Sequence, residues 1–84
     1  MSTAPTLICE WPKNARETVR VSLDQYHGRD TIDLRVWWID DADQLRPGKS
    51  GITLAVRHLP DLASAISQAL DEAKARGLLD GERS

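Results

Sequence analysis

With 84 residues, the chain has room for one small domain and a modest core, and oligomerisation is a natural way for so short a fold to gain stability. Its single cysteine, Cys9, excludes an internal disulfide, and no Cys/His cluster has zinc spacing. A formal net charge of −2 argues against an indiscriminate, strongly basic nucleic-acid binder.

Residues 1–6 read as a flexible leader, small and polar with one proline, and lack a signal-peptide core. Leu7–Trp11 predicts a short strand stopped by Pro12 and the turn-prone Lys13-Asn14. From Val19 the alternation is clear. Val19, Val21 and Leu23 fall on one face, and Arg20, Ser22 and Asp24 on the other. His27-Gly28-Arg29 supplies a turn, and the next strand repeats the pattern with Ile32, Leu34 and Val36 inward and Asp33, Arg35 and Trp37 outward. Asp40–Gly51 reads as a polar loop with a turn at Pro47-Gly48, followed by a short last strand at Ile52–Leu54.

The period then changes. Leu59, Leu62, Ile66, Ala69, Leu70 and Ala73 recur every three or four residues and predict one amphipathic helix. Pro60 and Asp61 suit its first turn, and Gly77 its end. The expectation is an α+β fold, ββββα, with an all-antiparallel sheet. One face is covered by the helix and the other left open. The domain spans 7–77, and 78–84 form a flexible tail.

Tyr26, Trp37 and Trp38 flank a hairpin that also carries Arg20, Arg29 and Arg35. Aromatic faces stack bases without regard to sequence, and guanidinium groups hold phosphates. Residues Trp11–Arg57 contain eight Lys and Arg against seven Asp and Glu, so this region is near neutral despite the acidic total. The competing interpretation places the tryptophans in the core and pairs the arginines with aspartates. Adjacent Trp37 and Trp38 weigh against it, because neighbours on a strand face opposite sides.

Other chemistries find no support. Gly48-Lys49-Ser50 resembles the end of a phosphate-binding loop, but Asp43 stands where that motif needs glycine, and no helix follows directly. Asp40, Asp41 and Asp43 lack the glycine and distant glutamate of a calcium loop. His27 and His58 have neither a nucleophile nor metal-ligand spacing beside them. The expectation is therefore no enzyme, no cofactor and no metal.

Three segments in order, RVSLDQYHGR (Arg20–Arg29), IDLRVWW (Ile32–Trp38) and LRPGKSGITL (Leu45–Leu54), resemble the single-stranded-DNA-binding core of the transcriptional coactivator family founded by positive cofactor four (p15). EWPKNARET from Glu10 is similar to its short bacterial members. The match covers about Val19 to Leu70. The resemblance implies four antiparallel strands and a helix, assembled as a homodimer whose two sheets form a curved platform for single strands. It further implies that Tyr26 and Trp38 stack bases, that Arg29, Arg35, Arg46 and Lys49 line the DNA path, and that His27 replaces a basic residue there. Ser50 stands where lysine is usual, and Glu17 and Val19 where positive charge is usual. Lys13, Arg16 and Arg20 are the nearby cations that could compensate.

The expected activity is largely sequence-independent binding of single-stranded DNA by a transcription coactivator or regulator, or by a DNA-maintenance accessory protein. Its partners would be single-stranded DNA, a second copy and the transcription machinery. The alternatives are a protein-interaction module with weak nucleic-acid binding, or an RNA-binding protein. With no apolar run long enough to span a membrane, and an arginine-rich, lysine-poor composition, the expected setting is the bacterial cytoplasm, at the nucleoid. One conflict stands: alternation turns Trp37 outward, whereas the resemblance selects Trp38. Both hold only if the strand bends or bulges near its end.

Overall fold

The computed structural model describes residues 5–79. Four strands, β1 (Thr6–Pro12), β2 (Glu17–Tyr26), β3 (Arg29–Ile39) and β4 (Leu45–Ala55), form one antiparallel sheet in sequential order. A short 3₁₀ turn, Val56–His58, leads into helix α1 (Leu59–Ala75). The ββββα expectation holds. Most of the expected leader and tail lies outside the described residues, but Thr6 already belongs to β1 and Leu78 to the helix cap.

The β2–β3 pairing runs without interruption from Glu17↔Trp38 to Tyr26↔Arg29. Val19, Val21 and Leu23 thereby lie opposite Val36, Leu34 and Ile32, forming a continuous apolar face. His27 and Gly28 close this hairpin with φ of 51° and 76°, the left-handed pair that a two-residue turn of matching twist requires. Gly28 takes that conformation freely, whereas His27 does so against its Cβ.

β4 is longer than expected. The polar segment does not remain a loop: only Asp40–Gln44 turns, with Asp43 at φ 60° and Asp40 Oδ1 accepting from the backbone N–H groups of Ala42 and Gln44. From Leu45 the chain runs as an edge strand with a bulge. Arg35 pairs with Gly51 but Trp37 with Pro47, so Gly48-Lys49-Ser50 lie opposite Val36 alone. Glycines permit this close approach, since a Cβ on Gly48 would sit 2.7 Å from the Val36 carbonyl oxygen and one on Gly51 2.8 Å from that of Leu34. Alternation gave no hint of the strand because the bulge interrupts it.

Helix α1 ends in a Schellman cap, with Gly77 at φ 73°, its N–H donating to Lys74 O and that of Leu78 to Ala73 O. Its packing departs from expectation. The helix buries none of its side chains, and Ile66 remains 57% exposed. An apolar cleft of about 620 Å³ stays open between Val19, Val21 and Leu34 of the sheet and Leu62, Ile66 and Leu70 of the helix. Ile32 is the one buried hydrophobic residue among those described. The radius of gyration is 15.1 Å, against about 12 Å for a compact domain of this length. In this structure the chain leaves more apolar surface uncovered than it buries in its core.

The turn strain is testable. His27→Val, which puts a β-branched side chain at positive φ, should lower stability by about 1–2 kcal/mol in equilibrium denaturation, whereas His27→Asn should match or exceed wild type.

Candidate nucleic-acid interface

Alternation in β3 is intact through Trp38, so the two tryptophans face opposite sides. The bulge that could have reconciled them lies in β4 instead. Trp37 shares the helix-free face with Arg20, Arg35 and Tyr26, and Arg20 places its guanidinium carbon 4.6 Å from the Trp37 ring centroid. Glu10 fixes that arginine through a 2.7 Å ion pair. Sequence reasoning left Arg20 out of the site, although its place on the Trp37 face could be read from the alternation.

Tyr26 is 66% exposed at the hairpin end, with the His27 ring packed edge-on at 4.2 Å between centroids. Its cross-strand neighbour Arg29 is exposed and makes no ion pair among the described residues. A shallow depression of about 410 Å³ joins Tyr26, Trp37 and Arg35 on this face.

Trp38 sits at the opposite end of the sheet and on the other face. It is 44% exposed and lies beside Glu17 and Arg46, its cross-strand neighbours. A groove of about 470 Å³ runs along it, lined by Glu17, Val36, Gly48, Lys49 and Ser50. Lys49 is exposed and makes no ion pair among the described residues, whereas Arg46 is tied to Asp40 at 2.6 Å. Tyr26 lies nine residue steps along β2 from Glu17, the pairing partner of Trp38, about 30 Å away. The seven expected residues thus divide. Tyr26, His27, Arg29 and Arg35 belong to the hairpin and the helix-free face, and Trp38, Arg46 and Lys49 to the bulged end.

Arg35 is the most constrained of these cations. Nε and Nη2 donate to the two Asp33 carboxylate oxygens at 3.2 and 3.0 Å, Nη2 also reaches Thr53 Oγ1, and Nη1 donates to the Gly48 carbonyl at 3.0 Å. Thr53 Oγ1 in turn donates to Asp33 at 2.6 Å. This network fastens the start of the β4 bulge to β3. Partial burial opposes ionisation of Asp33, but the hydrogen bonds from Arg35 and Thr53 prevail and hold its carboxyl below the usual range. Asp40 is likewise lowered, chiefly by the Arg46 hydrogen bond, and Glu17 by those from Asn14 and Lys13.

The family model for Transcriptional Coactivator p15 (PC4) matches residues 13–65. The chain belongs to the p15 (PC4) family. Among solved structures, a PC4 homolog from Burkholderia pseudomallei superposes with a TM-score of 0.72 at 24% identity, covering 79% of this chain and 97% of that one. A bacteriophage T5 homolog of the eukaryotic coactivator PC4, implicated in recombination-dependent DNA replication, gives 0.71 at 26% identity, covering 86% and 83%. MoSub1, solved in complex with DNA, gives 0.60 at 28% identity, covering 82% and 84%.

Depressed carboxyl pKa values set the sign of the pH dependence. Their contribution to stability is complete above the ordinary carboxyl range and is lost as pH falls through the lowered folded values. Melting temperature should be flat from neutral pH to about 5 and fall below about pH 4.5. Thermal scans of Asp33→Asn should show a lower plateau and a shallower acid decline.

Proposed function

We propose that this chain is a homodimeric single-stranded-DNA-binding protein with little sequence preference, serving as a transcription coactivator or regulator, or as an accessory factor in DNA maintenance. The observation that carries the reading is the exposed Trp38 ring lying along an open groove whose rim carries Lys49, an exposed lysine with no ion pair among the described residues. That pairing of a stacking face with a free cation suits a single strand, whose bases are available to stack and whose phosphates follow the rim. The DNA complex of MoSub1 and the replication role of the phage T5 homolog support it.

Tyr26 and Trp38 would be separate stacking stations, because one copy holds them far apart on opposite faces. His27, Arg29, Arg46 and Lys49 would contact phosphate. Arg35 is assigned to holding the bulge that presents Lys49, since each of its guanidinium nitrogens is already engaged. The dimer is supported by the open apolar cleft: a second copy contributing the same helix and sheet face would cover it. Transcription machinery is the further partner this role implies, and a bacterial cytoplasmic setting at the nucleoid accords with it. No catalytic step is proposed.

Titration of a fluorescent single-stranded oligonucleotide against the matching duplex at low salt tests the reading, and equal affinity for both would defeat it. Trp38→Ala should weaken single-strand binding by about 1–3 kcal/mol without changing native mass. Ile66→Asp, which places a charge in the cleft, should shift the protein toward monomer and weaken binding as a consequence. Salt dependence separates the cations. Lys49→Gln should reduce the slope of log affinity against log salt by about 0.7, the value for one lost phosphate contact, whereas Arg35→Gln should lower affinity at unchanged slope.

A further inference from the structure

The groove beside Trp38 contains an acid that a phosphate-binding surface does not need. Glu17 opens β2 directly opposite Trp38 and lines the same groove as Lys49. Its position is built rather than incidental. Asn14 Oδ1 accepts from the backbone N–H groups of Arg16 and Glu17, both at 2.9 Å, and the N–H groups of Lys13 and Asn14 donate to the Glu17 carbonyl. This tight loop fixes the carboxylate as well. Asn14 Nδ2 and Lys13 Nζ both donate to Oε1, at 2.8 and 3.0 Å, and Oε2 has no hydrogen-bond partner among the described residues. One carboxylate oxygen is therefore anchored, and the other is left as an acceptor on a residue that lines the same groove as Trp38.

We propose that Glu17 reads the edge of the base stacked on Trp38, so that this subsite favours cytosine, adenine and guanine, which carry an exocyclic amino group, over thymine. The inference rests on the single-strand reading above and adds a modest base preference to it. An ionised carboxylate can only accept. A base stacked on the indole lies in a parallel plane with its edge directed outward, and Glu17 borders the groove on the adjacent strand. Cytosine offers its N4 amino hydrogens to such an acceptor. Thymine has O4 in that position, so two acceptors meet, and its N3–H is flanked by carbonyl oxygens on both sides. Lys49, on the other strand bordering Trp38, remains available to a phosphate. Base selection and backbone attraction are thus assigned to different charges of one groove.

General repulsion is the rival role for Glu17, and it makes a different prediction, because a carboxylate that merely repels phosphates weakens binding to every sequence alike. Oligo-dC and oligo-dT of equal length, titrated into the wild-type protein near neutral pH and at fixed salt, separate the two. The expected result is tighter binding of oligo-dC by roughly threefold to tenfold, the range of one net hydrogen bond. Glu17→Ala should bring the two affinities together, mainly by strengthening binding to oligo-dT. Glu17→Gln keeps the loop contacts and should narrow the ratio while raising both affinities, which guards against a folding defect in the alanine variant. Equal wild-type affinities, or a ratio unchanged in Glu17→Ala, would overturn the inference while leaving single-strand binding intact. Absence of binding to either oligonucleotide would overturn both.

Discussion

The rest of the structure depends on an apolar surface that one chain cannot close. β2 and β3 give Val19, Val21, Leu34 and Ile32 to one face, and α1 brings Leu62, Ile66 and Leu70 toward it. The helix nevertheless leaves a cleft rather than a core, and Ile32 alone is buried among the described hydrophobic residues. At about 25 cal/mol per Å² of apolar area, leaving such a cleft wet forfeits a term that a small domain can ill spare. On the homodimer reading proposed above, a second copy would cover this cleft, which lies on the face opposite Tyr26, Arg35 and Trp37.

The bulge in β4 is the second organising feature. Gly48 and Gly51 let the edge strand pass close to the β3 carbonyls, and Arg35 fastens the bulge through the Gly48 oxygen. The outcome is a short shelf that carries Lys49 past the Trp38 ring. An arginine in the middle of a strand, ringed by Asp33 and Thr53, is better placed to shape a binding surface than to serve as one of its contacts. Arg20 and Arg46 are held by Glu10 and Asp40, whereas Arg29 and Lys49 make no ion pair among the described residues. Near-neutral total charge in this region therefore does not describe the field that a ligand meets.

Much of the fold was legible in the sequence, for identifiable reasons. The period of two in β2 and β3 marked the hairpin and its apolar face, and Pro60 and Gly77 marked both ends of the helix. β4 was misread as mostly loop because its bulge destroys the alternation and its glycines, proline and lysine resemble turn chemistry. The fit of the helix to the sheet was also beyond reach, since a stripe of apolar residues says that a face is covered but not which chain covers it. Among the candidate residues, the exposure of Tyr26, Arg29 and Trp38 followed from spacing and resemblance. The engagement of Arg35 depends on side-chain geometry across three strand segments, which no local pattern reveals. The split between Trp37 and Trp38 was the opposite case: simple alternation was correct, and the irregularity lay on the neighbouring strand.

The claim that most of this account depends on is that the cleft between sheet and helix is shared between two copies. Native mass by sedimentation, followed from high to low micromolar protein, tests it directly. The account predicts a species of twice the 9.4 kDa chain mass that persists on dilution. A folded protein that sediments as a single chain throughout would contradict it.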